Sequence, residues 1–175
     1  MGKMTTAQHM LTRDSGADLE TREAAGDYLS EHLLARSTSF CDDAFTEIRR
    51  QLLHVALQIL HDSVDAGDGT VAAANTYLRA ALSRAATRSS DATVRQLMLR
   101  MLELLPLGSR AGAETRTVAN TFLRTAFTST DAAAMSSGAQ DELRQMAERA
   151  LRPLSGADDE TRVAVNRWLR GLFRS

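Results

Sequence analysis

Ser109-Arg-Ala-Gly-Ala-Glu-Thr115-Arg-Thr-Val-Ala-Asn120-Thr-Phe-Leu-Arg124-Thr-Ala-Phe127 is a segment that the chain uses more than once. Ser155-Gly-Ala-Asp-Asp-Glu-Thr161-Arg-Val-Ala-Val-Asn166-Arg-Trp-Leu-Arg170-Gly-Leu-Phe173 repeats it closely. Looser copies run from Thr70 to Leu82, with Asn75, Tyr77, Leu78 and Arg79, and from Ser15 to Leu33, with Thr21, Arg22, Tyr28 and Leu29. The anchoring threonines Thr21, Thr70, Thr115 and Thr161 stand 49, 45 and 46 residues apart. A fixed period in that range marks a helical repeat array.

Working outward, each copy supplies the second helix of a unit and the apolar run before it supplies the first. A helix over Phe45 to His61 places Leu52, Val55, Ala56 and Ile59 on one face, with Ile48 continuing it toward the start. The next first helix carries Val94, Leu97, Met98, Met101, Leu102 and Leu105, is capped by Ser90 or Asp91, and stops at Pro106. The last one carries Leu143, Met146, Ala147, Ala150 and Leu151, opens on Ser137 and Gln140 spaced as a capping box, and stops at Pro153. Residues 4–14 leave room for only the end of a first helix. The second helices are expected near Asp18 to Leu34, Thr70 to Ala86, Ala113 to Phe127 and Asp158 to Phe173.

These readings give one all-α domain over residues 1–175. It is expected to be a right-handed α-solenoid of about three and a half two-helix repeats of roughly 46 residues. The units are 1–39 (a partial cap), 40–90, 91–136 and 137–175. A compact helical bundle grown by duplication is the alternative. No strand pattern competes.

Composition narrows the function classes. With 43% hydrophobic residues the chain is not disordered by composition, and a net charge of −1 implies no bulk attraction to nucleic acid or an anionic membrane. No run approaches the apolar length of a membrane span, and no signal-peptide pattern opens the chain. Cys41 is the single cysteine, which fits a reducing compartment and a cytoplasmic location, bacterial or inside a host. The chain holds 20 arginines and one lysine, Lys3. A GC-rich bacterial genome explains that bias; avoidance of ubiquitin attachment inside a eukaryotic host is the sharper explanation.

The three asparagines of the chain, Asn75, Asn120 and Asn166, all occupy the same repeat position. Four residues on stand Arg79, Arg124 and Arg170; four residues before stand Arg116 and Arg162, and Val71 in the second copy. Residues four apart line one ridge of a helix. An amide both donates and accepts, so it pairs with peptide groups regardless of sequence; arginines suit carboxylates or phosphates. The same asparagines, at the edge of the apolar arc, are equally placed to tie one repeat to the next, and the arginines to pair with Glu114 or Glu160. Tyr28, Tyr77, Phe122 and Trp168 align inside that arc as core residues. The four histidines show no metal-ligand spacing, and no phosphate loop or nucleophile motif stands out. No metal or cofactor is implied.

By period and helix pairing the chain resembles HEAT and armadillo solenoids, without a motif that fixes a family. The aligned asparagines resemble the asparagine ladder of armadillo repeats, and the resemblance implies binding of an extended peptide backbone. The expectation is a non-catalytic protein-interaction module or scaffold, a bacterial effector binding a host protein or peptide through Asn75, Asn120, Asn166, Arg79, Arg124, Arg170, Arg116 and Arg162. The alternative is a nucleic-acid-binding repeat whose arginine ridge tracks phosphates.

Overall fold

The computed structural model describes residues 2–37, 47–61, 64–84, 92–131 and 134–174, with the backbone alone for 47–49. Cys41, the helix start at Phe45, the side chain of Ile48 and the caps at Ser90 and Asp91 lie outside the described residues. Among those described, eight α-helices form: α1 Gly2–Met10, α2 Leu19–Ser37, α3 Glu47–Ile59, α4 Asp68–Leu82, α5 Ala92–Leu104, α6 Ala113–Thr128, α7 Ser137–Leu151 and α8 Asp159–Leu172. The described residues include no β-strand beyond an isolated bridge between Thr12 and Val64. The protein is all-α, and its helix packing contacts are consistent with a helical repeat.

Helix starts follow local chemistry. Asp18 and Asp158 each cap a helix, their carboxylates accepting from the N–H groups of Thr21 and Thr161 at 2.8 Å. The α7 cap differs from the expected capping box by one residue. Ser136, not Ser137, holds the extended cap conformation, and its hydroxyl accepts from the Ala139 N–H. Gln140 Nε2 donates to the Met135 carbonyl at 3.4 Å. The 3₁₀ turn Arg13–Ser15 ends the segment that begins with α1.

Contacts divide the chain into two compact units, Met1–Ser83 with Gly108–Thr115, and Arg84–Leu107 with Arg116–Ser175. In the first, α2 packs along α4, with α1 against α2 and α3 against α4. Leu29, Leu33, Ile59, Leu60, Tyr77 and Leu78 are fully buried there. In the second, α5 packs on α7 and α7 on α8, around Met98, Met101, Leu123 and Phe127. Each such side chain contributes about 1.5–3 kcal/mol of burial. The expected core aromatics Tyr77, Phe122 and Trp168 are buried, and Tyr28 is half-buried.

Candidate functional site

At Asn75 and Asn120 the asparagine's surroundings come from the loop before the next anchoring threonine. In the first unit, Asn75 Nδ2 donates to the Val71 carbonyl in its own helix at 3.0 Å and to the Arg110 carbonyl at 3.3 Å. Its Oδ1 accepts from the Gly112 N–H at 2.8 Å and the Thr115 hydroxyl at 2.6 Å. Two donors and two acceptor sites exhaust an amide's capacity. Arg79 forms an ion pair with Glu114.

The second unit repeats the device. Asn120 Nδ2 donates to the Arg116 carbonyl at 3.2 Å and the Gly156 carbonyl at 3.3 Å, and Oδ1 accepts from the Asp158 N–H at 3.0 Å. The Thr161 hydroxyl donates to the Asn120 backbone carbonyl at 3.2 Å, and Arg124 pairs with Glu160. Asn120 is only 5% exposed. At both places one repeat holds the backbone of the next by its amide and a carboxylate by its arginine. Of the two uses open to these asparagines, the tie between repeats is the one Asn75 and Asn120 make.

The first unit solves the same problem without an amide. Gly26 stands at the asparagine position, and a Cβ there would lie 2.7 Å from Thr70 Oγ1. Ser30, at the arginine position, donates either to the Gly26 carbonyl at 2.7 Å or to Thr70 Oγ1 at 3.2 Å. The threonine hydroxyl takes the space an amide fills elsewhere.

Asn166 is different. It is exposed, and among the described residues its one hydrogen bond runs from Nδ2 to the Arg162 carbonyl at 3.0 Å. Arg170 is exposed, and among the described residues it makes no hydrogen bond or ion pair. Arg162 instead turns back on its own loop, its guanidinium within 3.1–3.4 Å of the Ala157, Leu151 and Arg152 carbonyls and the Ser155 hydroxyl. Arg116 is half-buried and forms no such bonds. Of the eight ridge residues, then, Asn75, Asn120, Arg79, Arg124 and Arg162 are engaged within the protein, whereas Asn166 and Arg170 keep their recognition groups open.

Sequence reasoning passed over the residues that receive the ridge. They are the loop positions three to five before each threonine, and the leucines ten before it. The Asp65 N–H donates to the Leu11 carbonyl at 2.9 Å and the Arg110 N–H to the Leu60 carbonyl at 3.1 Å. Gly156 approaches Leu105 so closely that a Cβ would lie 2.2 Å from its carbonyl oxygen, and it holds φ +78°. The equal spacing of Leu11, Leu60, Leu105 and Leu151 from the threonines was the available signal.

Among the described residues no three His, Cys, Asp or Glu side chains converge as a metal site, and no described helix is long and apolar enough to cross a membrane. Thr70, Thr115, Asn120 and Thr161 are buried there, all at repeat junctions. No family model matches the chain, and neither a curated protein nor a solved structure does.

Proposed function

We propose that this protein is a non-catalytic interaction module or scaffold whose partner is a protein held on the ridge of α8, by Asn166 and Arg170. One observation carries the reading: at Asn75–Arg79 and Asn120–Arg124 the same pair grips a loop backbone and a glutamate, while Asn166–Arg170 has the same spacing and nothing in its grip. The chemistry it fits is a turn offering an N–H, a carbonyl and a carboxylate. Asn75 and Asn120 have their amides committed, which narrows the peptide-binding surface from a ladder to one rung.

Among the described residues, Thr70, Thr115, Asn120 and Thr161 spend their buried polar groups on the junctions, which supports a role without catalysis. Nucleic-acid binding is disfavoured by pairing of Arg79 and Arg124 with glutamates, which breaks up a phosphate-tracking stripe. The right-handed arrangement of about three and a half repeats belongs to this reading, and small-angle scattering would test it against a compact bundle. A bacterial origin, with action in that cytoplasm or a host's, rests on the arginine bias.

Affinity capture with the full chain tests the reading. A protein retained by the wild type and released by Asn166→Ala/Arg170→Glu supports it. Retention that ignores this substitution, or that disappears on nuclease treatment, overturns it.

A further inference from the structure

The chain carries a bare copy of the loop that its own ridge is built to hold. Ser15-Gly-Ala-Asp-Leu-Glu-Thr21 matches Ser155-Gly-Ala-Asp-Asp-Glu-Thr161 at six of seven positions. The match extends to conformation. Gly16 and Gly156 hold φ of +69° and +78°. The Ser15 and Ser155 hydroxyls donate to the Met10 and Ala150 carbonyls at 3.0 and 2.6 Å. The Ala17 and Ala157 N–H groups donate back to those serines at 3.2 and 3.3 Å. The aspartate caps at the two loops have the same length, 2.8 Å.

Their surroundings are opposite. The 155–161 loop is held by Asn120 and Arg124, and Thr161 is fully buried. In the 15–21 loop Asp18, Glu20 and Thr21 are exposed, and no described residue forms an ion pair with Glu20. The open ridge is the mirror of this. Asn166 lacks the N–H that Asn120 receives from Asp158, and Arg170 lacks the glutamate that Arg124 receives from Glu160. Apolar surface follows the same rule. Phe127 is 1% exposed with Trp168 against it, ring centroids 5.8 Å apart, whereas Phe173, one repeat on, is 76% exposed. Tyr28, the counterpart of Trp168, is only half-buried.

We propose that a second copy of this chain is the occupant of the α8 ridge, docking its 15–21 loop there. Asn166 then takes the Asp18 N–H and the Gly16 carbonyl, Arg170 takes Glu20, and Tyr28 covers Phe173. The proposal rests on the reading of α8 as the partner surface and names the partner. Loop and ridge are different patches, so the contact is heterologous and propagates head to tail, closing into a ring or extending as a filament.

Sedimentation velocity of the purified full chain, over a wide concentration range, tests this. The wild type is expected to associate as concentration rises. Glu20→Arg and Arg170→Glu, both at exposed positions and checked for intact helicity by circular dichroism, should each weaken association by about tenfold or more, since each replaces attraction with repulsion. An equimolar mixture of the two variants should associate again, because each retains the half that the other lacks. A wild type that stays monomeric throughout overturns the inference, as does association that neither substitution weakens. If the protein is monomeric yet captures another protein that Arg170→Glu releases, the second copy is excluded and the α8 surface stands. If neither self-association nor capture depends on Asn166 and Arg170, both readings fall.

Discussion

Asn120 and Asn166 are the same residue at the same place in the repeat, and they do opposite things. Each donates Nδ2 to the carbonyl four residues back, Arg116 at 3.2 Å and Arg162 at 3.0 Å, so the helix sets the amide's orientation identically. Around Asn120 the 155–161 loop closes the remaining valences, and the residue is buried. Among the described residues no loop reaches Asn166, and the residue is exposed. Repeat position therefore fixes which way the amide points, while the presence of a following loop decides whether it serves the fold or faces outward. The arginines obey the same division, with Arg124 paired to Glu160 and Arg170 unpaired.

The largest effect should come from the inner side of α8, which is what holds the open ridge in place. Trp168 is 4% exposed and packs edge-on against Phe127. Trp168→Ala should cost roughly 3–5 kcal/mol, read as a lowered urea midpoint. Amide exchange should rise first along α8, since repeats draw stability from their neighbours. Uniform loosening of every helix would break the link between this packing and the ridge.

The loops sharpen the comparison from the receiving side. Gly156→Ala meets both a left-handed φ and the Leu105 carbonyl at 2.2 Å from the new Cβ, so a loss of about 2–4 kcal/mol is expected. Gly16→Ala meets the same backbone conformation with nothing within 4 Å, and only the conformational cost of about 1 kcal/mol remains. Thermal unfolding of the two variants side by side measures the difference. Equal losses would mean that the 155–161 loop is no more tightly held than its bare twin.

The amides come next. Asn120→Ala leaves the Asp158 N–H and the Gly156 carbonyl without their partner, at about 1–3 kcal/mol, and Asn75→Ala should behave alike. Asn166→Ala removes a single intrahelical bond on an exposed face and should change stability by under about 0.5 kcal/mol. Chemical denaturation of the three variants gives the ordering. A loss at Asn166 as large as at Asn120 would contradict the division between held and open amides.

The threonine period and the apolar spacing carried the helix positions, because both are local consequences of a repeat that must bury one stripe. The single-file asparagines were legible as special, but their use was not. An amide at the edge of an apolar arc looks the same whether a loop of the next repeat or a foreign chain meets it. What separates the cases is the loop backbone at Gly112 and Asp158, whose N–H groups carry no sequence signature. Arg162 shows the same limit: its spacing placed it on the ridge, yet it folds back onto the Ala157 and Leu151 carbonyls. The cap at Ser136 was missed by one residue because Ser136 and Ser137 are chemically equivalent until the backbone selects the extended one.

The smallest effect is a pH dependence at the bare loop. Hydrogen bonds from the Thr21 side chain and backbone N–H hold the Asp18 carboxyl below its ordinary value. A carboxyl whose folded value is depressed binds its proton more weakly in the folded state. Its stabilising contribution is therefore complete above the unfolded value, near pH 4, and is lost as pH falls below that through the folded value. Opening of the first turn of α2 should accordingly increase in acid and stay flat from neutral pH down to about 5. Asp18→Asn keeps a cap that accepts from the Thr21 N–H but does not titrate in this range, so it should flatten the acid response at that turn. Amide exchange at Thr21 and Arg22, followed from pH 5 downward and corrected for the intrinsic pH dependence of exchange, makes the comparison. An acid response that persists unchanged in Asp18→Asn would assign it to some other carboxylate and leave the 15–21 loop without a titrating cap.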